Sequence, residues 1–101
     1  MTELDPAVQH FVEAVNANDS KALFALLTAD ASMSDDGQER NLAQWTESEI
    51  FATNARMKLE SISGPDAFVA EYSNDRWGAM RTAWRFTLRD GLISRFETGQ
   101  A

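Results

Sequence analysis

An α+β domain is predicted, with three N-terminal helices packed on a curved antiparallel sheet to form a cone, and three features of this 101-residue chain carry that reading. Apolar residues recur at helical spacing through the first half. Branched and aromatic residues alternate with polar ones through the second. Two turn signatures, Gly64-Pro65-Asp66 and Asp90-Gly91, fold that second half into two hairpins. The length suits a single domain over residues 1–101 with one core.

Asp5-Pro6 reads as an N-cap followed by proline at the first helical position, where the missing N–H costs nothing. Leu4, Val8, Phe11, Val12 and Val15 then form one apolar stripe, and His10 lies away from it, toward water. Asn16-Ala17-Asn18-Asp19 breaks this helix, and Asp19 caps a second one over Ser20 to Leu27. Thr28 to Ser34 passes into a short strand, and Asp35-Asp36-Gly37 is a turn. Asn41 followed by Gln44 resembles a capping box for a third helix to about Thr53. Its apolar residues fit one stripe only loosely, so Trp45 should face the core and either Ile50 or Phe51 a cavity or a second subunit.

MKLESIS and AFVAEYS make the first hairpin, and Met80 to Thr98 the second, longer one. Asp90-Gly91 accepts positive φ at both central positions of a tight type I′ turn. Regular pairing from Arg89 and Leu92 sets Leu88 opposite Ile93, Phe86 opposite Arg95 and Trp84 opposite Glu97. Trp84, Phe86, Leu88, Ile93, Arg95 and Glu97 would then share the core face, and Arg81, Ala83, Arg85 and Phe96 the other.

The net charge of −7 argues against nucleic acid, which needs a concentrated basic surface. Residues 1–50 carry 2 basic and 10 acidic side chains, residues 51–101 carry 7 and 6, giving −8 and +1. The absence of cysteine removes disulfides and thiolate metal sites, and one histidine makes a zinc site untenable. Asp30, Asp35 and Asp36 lack the alternating ligands of a calcium loop, so neither metal nor cofactor is expected. No basic-then-apolar leader opens the chain and no apolar run approaches the ~20 residues of a membrane span, so a cytoplasmic protein is expected.

FVEAVNANDSKALFALLTADASMSDDG and TAWRFTLRDGLISRFE together give the chain a resemblance to the nuclear transport factor 2-like superfamily. That group, of cystatin-like architecture, includes SnoaL-like polyketide cyclases and ketosteroid isomerases. The resemblance spans nearly the whole length and is greatest to small uncharacterised bacterial members. It implies the cone-shaped fold, a small-molecule pocket and a homodimer formed through the outer face of the sheet. In the isomerases an aspartate after the first strand is the general base, and Asp35 matches it. Phe11 and either Ala83 or Trp84 stand where those enzymes place their oxyanion-hole tyrosine and protonated acid. Phe11 and Ala83 have no side-chain donor, and an indole offers no comparably acidic proton, so the isomerase reaction itself is not implied.

Asp35 is therefore the first catalytic candidate, since apolar neighbours such as Trp45 or Phe11 would suit it to moving a proton. The alternative is a solvated Asp-Asp-Gly turn. Glu97 is the second candidate, as an acid/base partner to Asp35 or as one half of a plain ion pair with Arg95. Phe11, Trp45, Phe51, Tyr72, Trp84 and Arg95 are the candidate ligand contacts, and Trp77 could join them; their alternative is a place in the core. Two functions follow. One is a domain binding a small hydrophobic molecule in a pocket, with acid/base chemistry of isomerase, cyclase or dehydratase type at Asp35. The other is a non-catalytic binding or dimeric interaction module whose cone is filled by its own aromatics.

Overall fold

Asp5 opens the first helix, α1 (Pro6–Asn16), by accepting the Ala7 N–H at 3.0 Å. The computed structural model describes residues 3–101. The apolar stripe of α1 is buried as its spacing predicts, with Val8, Phe11 and Val15 fully enclosed and His10 exposed. Asn18 takes a left-handed conformation (φ +54°), and Asp19 caps α2 (Ser20–Phe24) by accepting the Ala22 N–H at 3.0 Å. This helix ends three residues before the expected Leu27. The Leu26 carbonyl accepts the Ile93 N–H at 2.8 Å, so sheet pairing claims the segment and Leu27 opens β1 (Leu27–Asp35).

Asp36-Gly37 turns the chain with both residues at positive φ (+50° and +83°), returning it as β2 (Gln38–Arg40). Three polar residues carry no alternation, and sequence reading missed this strand. Asn41 accepts the Gln44 N–H at 2.9 Å and starts α3 (Leu42–Thr46), which widens at once into a π-helical turn (Glu47–Phe51). Ala52 N–H reaches the Glu47 carbonyl and Ala55 N–H that of Ile50, both five residues back. The wider turn explains the loose stripe: Thr46 and Ile50 are fully buried, while Phe51 is half-buried against the core rather than against a cavity.

The remaining strands are β3 (Arg56–Gly64), β4 (Ala67–Asn74), β5 (Gly78–Arg89) and β6 (Leu92–Gln100). Together with β1 and β2 they form one curved six-stranded sheet in the order β2-β1-β6-β5-β4-β3. The fold class is the α+β cone expected, with one departure: β1 and β6 run parallel, so the sheet is not wholly antiparallel.

The long hairpin corrects the expected register. Asp90 and Gly91 take φ of +53° and +79°, and Leu88 pairs with Ile93 as predicted. A bulge follows, after which Thr87 pairs with Arg95, Phe86 with Phe96, Arg85 with Glu97 and Trp84 with Thr98. The Ser94 hydroxyl donates to the Thr87 carbonyl at 3.2 Å inside this irregularity. One extra residue turns every later side chain of β6 over, so Phe96 enters the core while Arg95 and Glu97 face outward. The driving force is burial. Keeping Phe96 outside would expose a ring whose burial stabilises by ~1.5–3 kcal/mol.

Phe11 sits at the centre of the core, with ring centroids 5.0 Å from Phe86, 5.1 Å from Phe96 and 5.9 Å from Trp84. Such tilted and edge-on pairs suit the ring quadrupoles. At the opposite end, Asp36 fixes the tip of β1 to β6: its N–H donates to the Thr98 carbonyl at 2.9 Å and its carboxylate accepts the Gln100 N–H at 3.0 Å. Gly99 leaves room for this bond, since a Cβ there would lie 2.7 Å from the Asp36 carboxylate and displace it. No helix among the described residues is long and apolar enough to cross a membrane.

Candidate functional site

The parallel pairing sets Asp35 beside Thr98, and Thr98 lies opposite Trp84, so three neighbouring strands present these side chains to the mouth of the cone. β4 adds Tyr72 and Asn74 from the far side, and α3 with its π-helical turn closes over them with Trp45 and Glu49. The space they enclose is a cavity of about 260 Å³. It lies at the wide end because the narrow end is filled by Phe11, Phe68, Phe86 and Phe96, all nearly or completely buried.

Asp35 is half-buried and accepts the Trp45 indole N–H at 3.2 Å, so its carboxylate is held at the cavity wall rather than solvated in the turn. The turn role belongs to Asp36. Glu49 accepts the Trp77 indole N–H at 3.4 Å and lies 3.7 Å from the Arg76 guanidinium. Its carbonyl is freed by the π-helical turn and receives the Tyr72 hydroxyl, while Asn74 donates to the same hydroxyl at 3.2 Å. Asn74 also accepts the Arg76 and Trp77 N–H groups at 3.0 and 2.7 Å, which shapes the loop carrying Trp77. The Trp84 indole donates to the Thr82 hydroxyl at 2.8 Å. Thr98 is 8% exposed, and among the described residues no hydrogen bond engages its hydroxyl.

Of the residues singled out from the sequence, Asp35, Trp45, Tyr72 and Trp84 line this cavity, and Trp77 does too, although 60% exposed. Phe11 lies below it in the core and Phe51 beside α3, neither of them at the wall. Arg95 and Glu97 are carried to the outer face by the bulge, so Glu97 is not brought together with Asp35. There Arg95 donates to Ser32 at 2.9 Å, pairs with Glu39, and lies 3.5 Å from the Glu97 carboxylate. Sequence reasoning missed Glu49, Asn74 and Thr98. The signal for Thr98 was present: Ile93 and Phe96, three apart, cannot share one face of a regular strand. Among the described residues, no group of three or more His, Asp or Glu side chains could hold a metal ion.

Burial pushes the Tyr72 phenol above the usual tyrosine range, and the Glu49 and Asp35 carboxylates push it the same way, against the opposing Asn74 hydrogen bond. Tyr72 is the chain's single tyrosine, so alkaline titration followed by phenolate absorbance reads it alone. The folded protein should show a midpoint above the ~10 of a free phenol, and the denatured chain should return to it. The sign for stability follows. With the folded value raised, the contribution of Tyr72 is intact below pH ~10 and is lost as pH rises through the folded value. A folded midpoint at or below that of the denatured chain would contradict this arrangement.

No family model matches the chain, and no curated protein sequence does. Solved structures do. A candidate polyketide cyclase from Sinorhizobium meliloti is 25% identical, with 94% of each chain covered and a TM-score of 0.78. Rv0760c from Mycobacterium tuberculosis, in complex with estradiol-17β-hemisuccinate, is 19% identical over 91% of this chain and 88% of its own, with a TM-score of 0.74. The Δ5-3-ketosteroid isomerase from Mycobacterium sp. is 18% identical over 97% of this chain and 92% of its own, with a TM-score of 0.72. The order of helices, the curved six-stranded sheet and these likenesses agree: the chain has the nuclear transport factor 2-like fold.

Proposed function

We propose that the chain binds a small, largely apolar molecule at the mouth of the cone, with Asp35 as the polar group that meets it. The observation carrying this reading is the cavity itself: about 260 Å³, walled by Trp45, Tyr72 and Trp84, with the Asp35 carboxylate held at its rim by the Trp45 indole. A related fold holds a steroid ester in Rv0760c, which supports a small-molecule role. The volume falls below the ~300–1,000 Å³ usual for ligand pockets, so a molecule smaller than a steroid fits better here. Binding has more support than proton transfer. Asp35 matches the family's general base by resemblance, but two donors of the cavity lining, the Tyr72 hydroxyl and the Trp84 indole N–H, are already committed to Glu49 and Thr82.

Cyclohexanol serves as a neutral probe, titrated against tryptophan fluorescence. Saturable quenching is expected in the native protein. Thr98→Leu, which places a larger apolar side chain in the cavity, should weaken it at least about tenfold with an unchanged circular dichroism spectrum. Equal binding by the folded variant would put the probe elsewhere and contradict the reading.

The outer face of the sheet is the proposed contact with a second copy. Val69, Ala83 and Arg85 form its centre, and Phe96, assigned to it from sequence, belongs to the core. Arg81 is paired with Glu60 at 2.6 Å and Arg89 with Asp30, whose carboxyl that guanidinium holds down to about 2. Arg85 alone among the three outward arginines of β5 makes no ion pair within the described residues, leaving its charge for a partner. Sedimentation of the native protein should show a dimer, and Arg85→Glu should shift it toward monomer. A native monomer, or a dimer indifferent to the change, overturns the assignment.

A further inference from the structure

We infer that the ligand of the cone mouth is a small alkylated ammonium ion, held by an aromatic cage with carboxylates at its edge. This rests on the binding reading above and names its chemical class. Four aromatic side chains, Trp45, Tyr72, Trp77 and Trp84, contribute to one cavity wall. Trp84 packs directly on two of them, with ring centroids 6.4 Å from Trp45 and 6.2 Å from Tyr72, so the rings form one continuous aromatic wall beside the cavity. An ammonium carbon shell entering such a space meets ring electron density within the ~6 Å over which a cation is attracted to an aromatic face. The indole N–H groups of Trp45 and Trp77 donate to Asp35 and Glu49. Donation to a carboxylate enriches the indole in electron density, which strengthens that attraction.

Charge at the mouth points the same way. Asp35, Asp36 and Glu49 line the cavity against two cations, the exposed Arg40 in its lining and Arg76 3.7 Å from Glu49, so carboxylates outnumber cations at the mouth. An anionic ligand would meet this field unfavourably, whereas a cation gains from it in a partly dehydrated site.

The free acceptors lie at the rim while the inner wall is aromatic, which favours an alkylated ammonium over a primary one. A primary ammonium has three N–H donors and needs an acceptor for each when it leaves water. Here the Glu49 carbonyl already receives Tyr72, and the Thr82 hydroxyl already receives Trp84. What is left is one carboxylate oxygen each on Asp35, Asp36 and Glu49 at the rim and the hydroxyl of Thr98, 8% exposed and unengaged among the described residues. Methyl groups on nitrogen remove the need for the other acceptors and match the apolar wall. Thr98 then suits a hydroxyl or ether oxygen a short chain away from the nitrogen.

Choline and dimethylbutanol, its uncharged isostere with carbon in place of nitrogen, separate the possibilities when titrated calorimetrically against the full chain at low salt. Choline should bind at least about tenfold more tightly than dimethylbutanol, the scale of one cation–aromatic contact beside a carboxylate. Asp35→Asn with Glu49→Gln should abolish that preference, bringing choline down to the affinity of dimethylbutanol for the same variant. Equal affinity for both probes in the native protein overturns the cationic assignment and leaves the apolar pocket standing. Binding of neither overturns both. A preference for choline that survives in the folded double variant places the cation elsewhere and also overturns the assignment. Should the double variant not fold, the indole N–H resonances of the native protein decide: choline should move those of Trp45 and Trp77, and their indifference to saturating choline refutes the site.

Discussion

An extra residue in β6, between Ile93 and Arg95, decides which side chains the sheet gives to the cone. Without it, regular alternation from Leu92 would point Arg95 and Glu97 inward and leave Phe96 in water. With it, Phe96 joins Phe11, Phe86 and Trp84, and Thr98 follows two residues later as part of the cavity wall. The same shift determines what the parallel neighbour β1 meets, because Met33 pairs with Phe96 and Asp35 with Thr98. A local irregularity thus sets the core, the site and the outer face together. Its cost is a disrupted stretch of ladder, offset by an enclosed aromatic ring and by the Ser94 hydroxyl bonding across to Thr87.

Packing then divides the cone into a solid end and an open one. Phe11 projects from α1 onto three rings of β5 and β6, and with the buried Phe68 of β4 they fill the narrow end. The open end owes its shape to the π-helical turn, which buries Ile50 while releasing the Glu49 carbonyl to Tyr72. Polar groups line this end and nearly all are committed to one another, so the wall is rigid and presents mainly aromatic and carboxylate surface.

Helix starts and hairpin turns were legible in the sequence because their chemistry is local. Asp5, Asp19 and Asn41 each cap the helix they were expected to cap, and Asp90-Gly91 makes the two-residue turn its composition demands. Asp35, Trp45, Tyr72 and Trp84 were legible as cavity residues through alternation and family likeness. What was not read is non-local. The bulge in β6 follows from what the helices require of the sheet, and β2 exists because β1 offers it an edge. Glu97 and Arg95 were placed on the core face by an assumption of unbroken pairing, and the demand to bury Phe96 defeats that assumption. Glu49 entered the site through a helical irregularity that no propensity scale encodes.

The arrangement of β6 is tested most directly by nuclear Overhauser contacts to the Trp84 indole ring. The account predicts contacts from the Thr98 methyl group to that ring, with Glu97 methylene contacts confined to outward-facing neighbours such as Arg85 and Ser34. Contacts from Glu97 to Trp84, with the Thr98 methyl directed to the outer face, would contradict it.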